Sequence, residues 1–165
     1  MVESNHIHRF LVHELKTKDL RPIDLARSLN IPYSTVYSII KGTRAKQEIL
    51  TLIKIADFFQ VTVDEIFNRT KYLPKHFEIK KVTQEEIRLN IKNFLNAKLQ
   101  ENNITAYTLS KRIGTGETVL FDFIKDNSNK TLLSSSTIFK LANYFQLSID
   151  EIIGRTINSS LGVEP

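Results

Sequence analysis

The sequence repeats itself, and that repeat limits the fold more than any other feature. Sliding the chain against itself by 84 residues places Phe10 on Phe94, Leu11 on Leu95, Leu15 on Leu99, Leu25 on Leu109, Ile40 on Ile124 and Lys41 on Lys125. A two-residue insertion after the third predicted helix moves the offset to 86. Ala56 then falls on Ala142, Phe59-Gln60 on Phe145-Gln146, Asp64-Glu65-Ile66 on Asp150-Glu151-Ile152, and Arg69-Thr70 on Arg155-Thr156. Apolar, polar and charged positions matching in one register are the mark of a duplicated structural unit. The 165 residues are therefore read as two copies of one small domain.

Within a copy the pattern is helical. Ile7, Phe10, Leu11 and Leu15 form an i, i+3, i+4, i+8 stripe, the apolar face of a first helix. Arg21-Pro22 starts a second, and Asn30-Ile31 breaks it. Pro32 opens a third, because its missing N–H is one that a helix start leaves unpaired anyway. Ile49, Leu52, Ile53 and Ala56 mark a fourth helix ending near Phe59. Thr62 with Glu65 is a capping box for a short fifth. Five helices in about sixty residues predict a compact all-α domain over 1–69. Residues 70–82, with Pro74 and several lysines, read as a linker whose extended Phe77–Val82 stretch is free to pack on either domain. Thr83 and Glu86 form another capping box and open the second domain, 83–156; the polar tail 157–165 is expected to fray.

Residues 25 to 42, LARSLNIPYSTVYSIIKG, carry the functional signal. Leu25, Ala26 and Leu29 share one face of the second helix, and small Ala26 permits a close crossing. Val36, Ile39 and Ile40 point inward from the third. Tyr33, Ser34, Tyr37 and Ser38 are left outside, followed by Lys41, Gly42, Arg44 and Lys46. Two crossed helices with a hydrogen-bonding outer face describe a helix-turn-helix reader of the major groove. Leu25-Ala26, Leu29, the Ile31 turn, Val36 and Gly42, with Ile55-Ala56 and the run from Val61 to Phe67, resemble the lambda-repressor-like (Cro/cI, XRE-type) DNA-binding domains. The resemblance implies two tandem five-helix domains of that family. It points to Tyr33, Ser34 and Ser38 as base readers, since those positions commonly meet base edges. Tyr33 departs from the family, which often has glutamine there.

Thr35 and Tyr37 complete the candidate reading helix. Lys41, Arg44 and Lys46 are candidate phosphate grips, with Arg21 a weaker one. The stretch from 31 to 46 contains these three cations and no acid. Its counterpart, 115 to 130, offers Thr118, Lys125 and Lys130 as weaker DNA-binding candidates, against Glu117, Asp122 and Asp126. Residues 1–77 hold 12 basic and 8 acidic side chains, and residues 78–165 hold 11 and 10. Carboxylates facing phosphate oppose binding, so the second copy is expected to keep the fold more than the function. The overall charge of +5 favours an anionic partner without naming one.

His6, His8 and His13 do not share one helical face, and a solvated helix start explains them better than a metal site. Gly114-Thr115-Gly116 is too short for a phosphate loop. No triad or paired-carboxylate arrangement is present, so neither catalysis nor a cofactor is expected. No apolar run approaches the ~20 residues of a membrane span. The N-terminus lacks a secretory pattern, and the absence of cysteine fits the cytoplasm. The expectation is a transcriptional regulator, a repressor, that binds double-stranded operator DNA as a homodimer. The rival is a protein-docking module of antirepressor or antitoxin-like type.

Overall fold

The computed structural model describes residues 2–43, 47–128 and 130–158, with side chains from Asn5 onward. The chain divides into two units, Met1–Thr70 and Lys71–Pro165.

Unit 1 holds α1 (Val2–Thr17), α2 (Pro22–Leu29), α3 (Tyr33–Ile40), α4 (Ile49–Phe59) and α5 (Val63–Ile66). The stripe of α1 packs as its spacing requires. Ile7, Leu11 and Leu15 are buried, while half-buried Phe10 meets the Phe59 ring edge-on at 5.7 Å. They join Leu25, Ala26, Leu29, Val36, Ile39, Leu52, Ile53 and Ile55 in one core. Pro22 begins α2, and Asn30 ends it in the left-handed region at φ 50°, which asparagine tolerates better than most residues. That turn reverses the chain into α3 within three residues. The Thr62 hydroxyl accepts from Glu65 N–H at 2.9 Å, and Glu65 Oε2 accepts from Thr62 N–H at 2.6 Å, the reciprocal cap of α5.

Unit 2 holds β1 (Phe77–Ile79), α6 (Gln84–Glu101), α7 (Ala106–Ile113), α8 (Val119–Lys125), α9 (Ser135–Phe145), α10 (Ile149–Ile153) and β2 (Thr156–Asn158). Its core takes Ile87, Ile91, Leu95, Leu109, Leu120, Ile138, Leu141, Ile149 and Ile152. Phe94 meets Phe145 edge-on at 5.6 Å. Thr83 and Glu86 form the expected capping box of α6.

Two features depart from the sequence reading. β1 lies inside the stretch read as a linker and β2 enters the expected frayed tail. They pair antiparallel, Phe77 opposite Asn158 and Ile79 opposite Thr156, and Lys80 N–H donates to Arg155 O at 2.7 Å. The described fold is thus helical with a two-stranded sheet, not purely helical. Each unit also contains an ion pair after its last helix. Arg69 Nε lies 3.2 Å from fully buried Asp64, and in unit 2 Arg155 pairs with Asp150, both side chains inaccessible to solvent. The turn between them holds Gly154 at φ 79°, where a Cβ would also run into the Asn90 side chain. Glycine suits the turn on both counts, and the equivalent position in unit 1 is taken by Asn68 at φ 56°.

Candidate nucleic-acid interface

The surface of α3 follows from its burial pattern. Val36 and Ile39 are buried, Thr35, Ser38 and Ile40 are half-buried, and Tyr33, Ser34 and Tyr37 are left facing outward. Tyr33 is 44% and Tyr37 47% exposed, a high value for rings that normally bury. One turn apart, their centroids stand 6.0 Å from each other with planes inclined at 43°. Lys41, at the helix C-terminus, lays its Nζ 5.5 Å from the Tyr37 centroid, where ring and cation attract.

The remaining sequence candidates divide. Ser38 Oγ donates to Thr35 O at 2.9 Å, so its proton is already committed to the helix. Arg21 makes a two-point contact with Asp24, Nε to Oδ2 at 2.6 Å and Nη2 to Oδ1 at 3.0 Å. That hydrogen bonding holds the Asp24 carboxyl below its usual value and raises the arginine. The pair lies at the surface, with the Arg21 side chain 73% exposed. Arg44 and Lys46 lie outside the described residues. Sequence reasoning passed over Lys54, an exposed cation that lines a cleft with Asn30, Pro32, Thr35 and Glu48. Its signal was available, as the one lysine on the fourth apolar helix.

In unit 2 the corresponding helix start carries Thr118 at the N-cap of α8, exposed and making no side-chain cap. Lys125 Nζ lies 5.8 Å from the Phe121 ring, which is 50% exposed, and Lys130 is exposed. Glu117 stands 3.9 Å from Lys111, and Asp122 faces solvent. Asp126, the third acid of that stretch, is bound into its own unit. Its carboxylate accepts from the Thr131 hydroxyl and from Ser128 N–H at 2.8 Å, and lies 3.4 Å from the Arg88 guanidinium. Those partners, Thr131 foremost, hold its carboxyl well below the carboxylate range. Buried Arg88 also donates Nε to Thr131 O at 3.2 Å, and Lys92 Nζ donates to Asp126 O at 2.6 Å. Asp126 is therefore the knot of the loop between α8 and α9, tied back to α6.

Comparison with known proteins bears on unit 1. Residues 11–71 match the sequence model of the Cro/C1-type HTH DNA-binding domain. Over 72 residues, 42% of this chain, it is 35% identical to an uncharacterized HTH-type transcriptional regulator of Rickettsia prowazekii (strain Madrid E), spanning 78% of that protein. The chain belongs to the Cro/C1-type helix-turn-helix family. A second such regulator, from Rickettsia conorii (strain ATCC VR-613 / Malish 7), is also 35% identical over 72 residues, 66% of its length. No solved structure matches the chain significantly. Membership makes DNA-binding regulation the general activity, and the family is not an enzyme class. Among the described residues no helix is long and apolar enough to cross a membrane.

Proposed function

We propose that this chain is a sequence-specific repressor that lays α3 of unit 1 in the major groove of operator DNA. The observation that carries the reading is the outer face of α3. Tyr33, Ser34 and Tyr37 project from a short helix whose other side is locked in the core, and no acid lies between residues 31 and 46. Lys41, Arg44 and Lys46 grip phosphate after the reading helix and set its register, while contacts from the helix itself choose the sequence. Lys54 adds a cation on the α4 side of the cleft. Two chains supply two readers to a two-fold operator, because palindromic half-sites mirror protein symmetry.

Unit 2 is, on this reading, a second and divergent copy of the same domain. Its α6 to α10 follow in order with 18, 8, 7, 11 and 5 residues, beside 16, 8, 8, 11 and 4 in unit 1. The edge-on phenylalanine pair and the Asp–Arg pair recur at the offsets found in the sequence. Exposed Phe121, Glu117 and Asp122 favour a docking role for unit 2, in dimerisation or partner contact, over DNA reading.

Selection of bound duplexes from a random DNA pool tests the proposal. An enriched motif with two-fold symmetry supports it, and a single asymmetric half-site bound by one chain removes the dimer. Recovery of no enriched sequence removes DNA reading.

A further inference from the structure

The side chains of α3 restrict which bases it can recognise. Its sequence is YSTVYSII, and the bidentate readers are all missing from it. Arginine or lysine for guanine, asparagine or glutamine for adenine, and a carboxylate for cytosine are absent between Tyr33 and Ile40. Ser38 has committed its proton to Thr35 O, and Thr35 and Ser38 are both half-buried. What faces outward is two phenol rings and the Ser34 hydroxyl. A hydroxyl both donates and accepts, so it discriminates poorly among base edges. A ring presents apolar surface, and the base-edge group that rewards apolar contact in the major groove is the thymine C5-methyl.

We infer that Tyr33 and Tyr37 are specificity-determining residues that read thymine methyl groups in the operator. This rests on the DNA-reading role proposed for α3 and names the chemistry of that recognition. The geometry sets the spacing. The ring centroids are 6.0 Å apart, between one and two base steps at about 3.4 Å each. The two methyls therefore lie no more than two steps apart on the duplex. Lys41 reinforces the arrangement: its Nζ over the Tyr37 ring keeps the cation beside that ring, where it can reach a flanking phosphate while the ring meets the base.

The test replaces thymine with deoxyuridine, one position at a time, in the duplex recovered from the random pool. The substitution deletes the methyl and leaves every hydrogen-bonding group in place. Affinity should fall about fourfold at each read thymine, the transfer free energy of one buried carbon group expressed as a binding ratio. The sensitive positions should be one or two thymines within two steps. Tyr37→Ala and Tyr33→Ala should each erase the thymine-to-uracil ratio at its own position, while Tyr37→Phe, which keeps the ring, should preserve it. Thermal melting checks that each variant is folded. Equal affinity for thymine and uracil throughout the site overturns the inference. So does a ratio that survives both alanine variants, or one that Tyr37→Phe abolishes, since the hydroxyl would then be the reader. Failure of the underlying proposal looks different: the pool yields no enriched duplex, and both ideas fall together.

Discussion

Replacing Ser110 by alanine should stabilise unit 2. Ser110 is fully buried in α7, and its Oγ has no hydrogen-bond partner among the described residues. At the 84-residue offset the same place in α2 is taken by Ala26, 2% exposed, with no hydroxyl to satisfy. An unpaired buried hydroxyl costs about 1–3 kcal/mol. Alanine adds up to about 0.5 kcal/mol through helix propensity, and the oxygen-sized gap that remains takes back a similar amount. The net gain should be about 1–3 kcal/mol. For a unit of this size that raises the melting temperature by about 4–8 °C per kcal/mol. Calorimetry of the intact chain, with the two unfolding transitions resolved, reads the shift directly. The reciprocal change, Ala26→Ser, should lower the unit 1 transition by a comparable amount. A neutral or destabilising Ser110→Ala would mean the hydroxyl is satisfied in solution. Shifts of the same sign in both units would defeat the argument as a whole.

Other outcomes can be stated from the same geometry. Arg155→Ala removes the buried cation paired with Asp150 and should cost about 3–5 kcal/mol in urea unfolding of unit 2. Asp126 is held below its unfolded value near 3.8, so its contribution to stability is complete above that value and is lost as the pH falls below it. Acid titration should therefore show the stability gap between wild type and Asp126→Asn at neutral pH closing below about pH 4. With Arg21 committed to Asp24, three phosphate grips per reader give a salt dependence of log affinity with a slope near −5 for a dimer, at about −0.9 per contact. A slope near zero on the selected duplex would remove the grips. Replacing Lys41, Arg44 and Lys46 with alanine should weaken binding to all duplexes alike, whereas Lys125 and Lys130 to alanine should change it little, as competition against non-specific DNA would show.

The helices were legible because their evidence is local. Leu11 to Leu15, Thr62 to Glu65 and Arg21-Pro22 carry period, cap and start within one or two turns, and those elements form where the spacing puts them. The tyrosine face of α3 was legible for the same reason. What escaped is long-range. Nothing near Phe77 shows that it pairs with Asn158, because three-residue strands lack a resolvable alternation. Asp126 looked like surface charge until Arg88, 38 residues earlier, closed on its loop. The match of Arg69 to Arg155 was visible as repetition, yet its physical content, a buried partner for Asp64 or Asp150, needed the fold. Arg21 likewise has a partner one turn on, Asp24, that only the folded helix brings into reach.

The β1–β2 pairing has a consequence for the order of events during synthesis. Unit 1 is complete in sequence at Thr70 and can fold as soon as it clears the ribosome. Unit 2 cannot, because β1 emerges at its start and its partner β2 comes some 80 residues later. At about 5–20 residues per second, β1 stays unpaired for roughly 4–16 s in every nascent chain. An open strand edge on a polysome faces identical edges on neighbouring chains, the arrangement most prone to mispairing. Glu78, Lys80 and Lys81 place charges on and beside that strand, so the open edge must give up their hydration before a neighbour can pair with it.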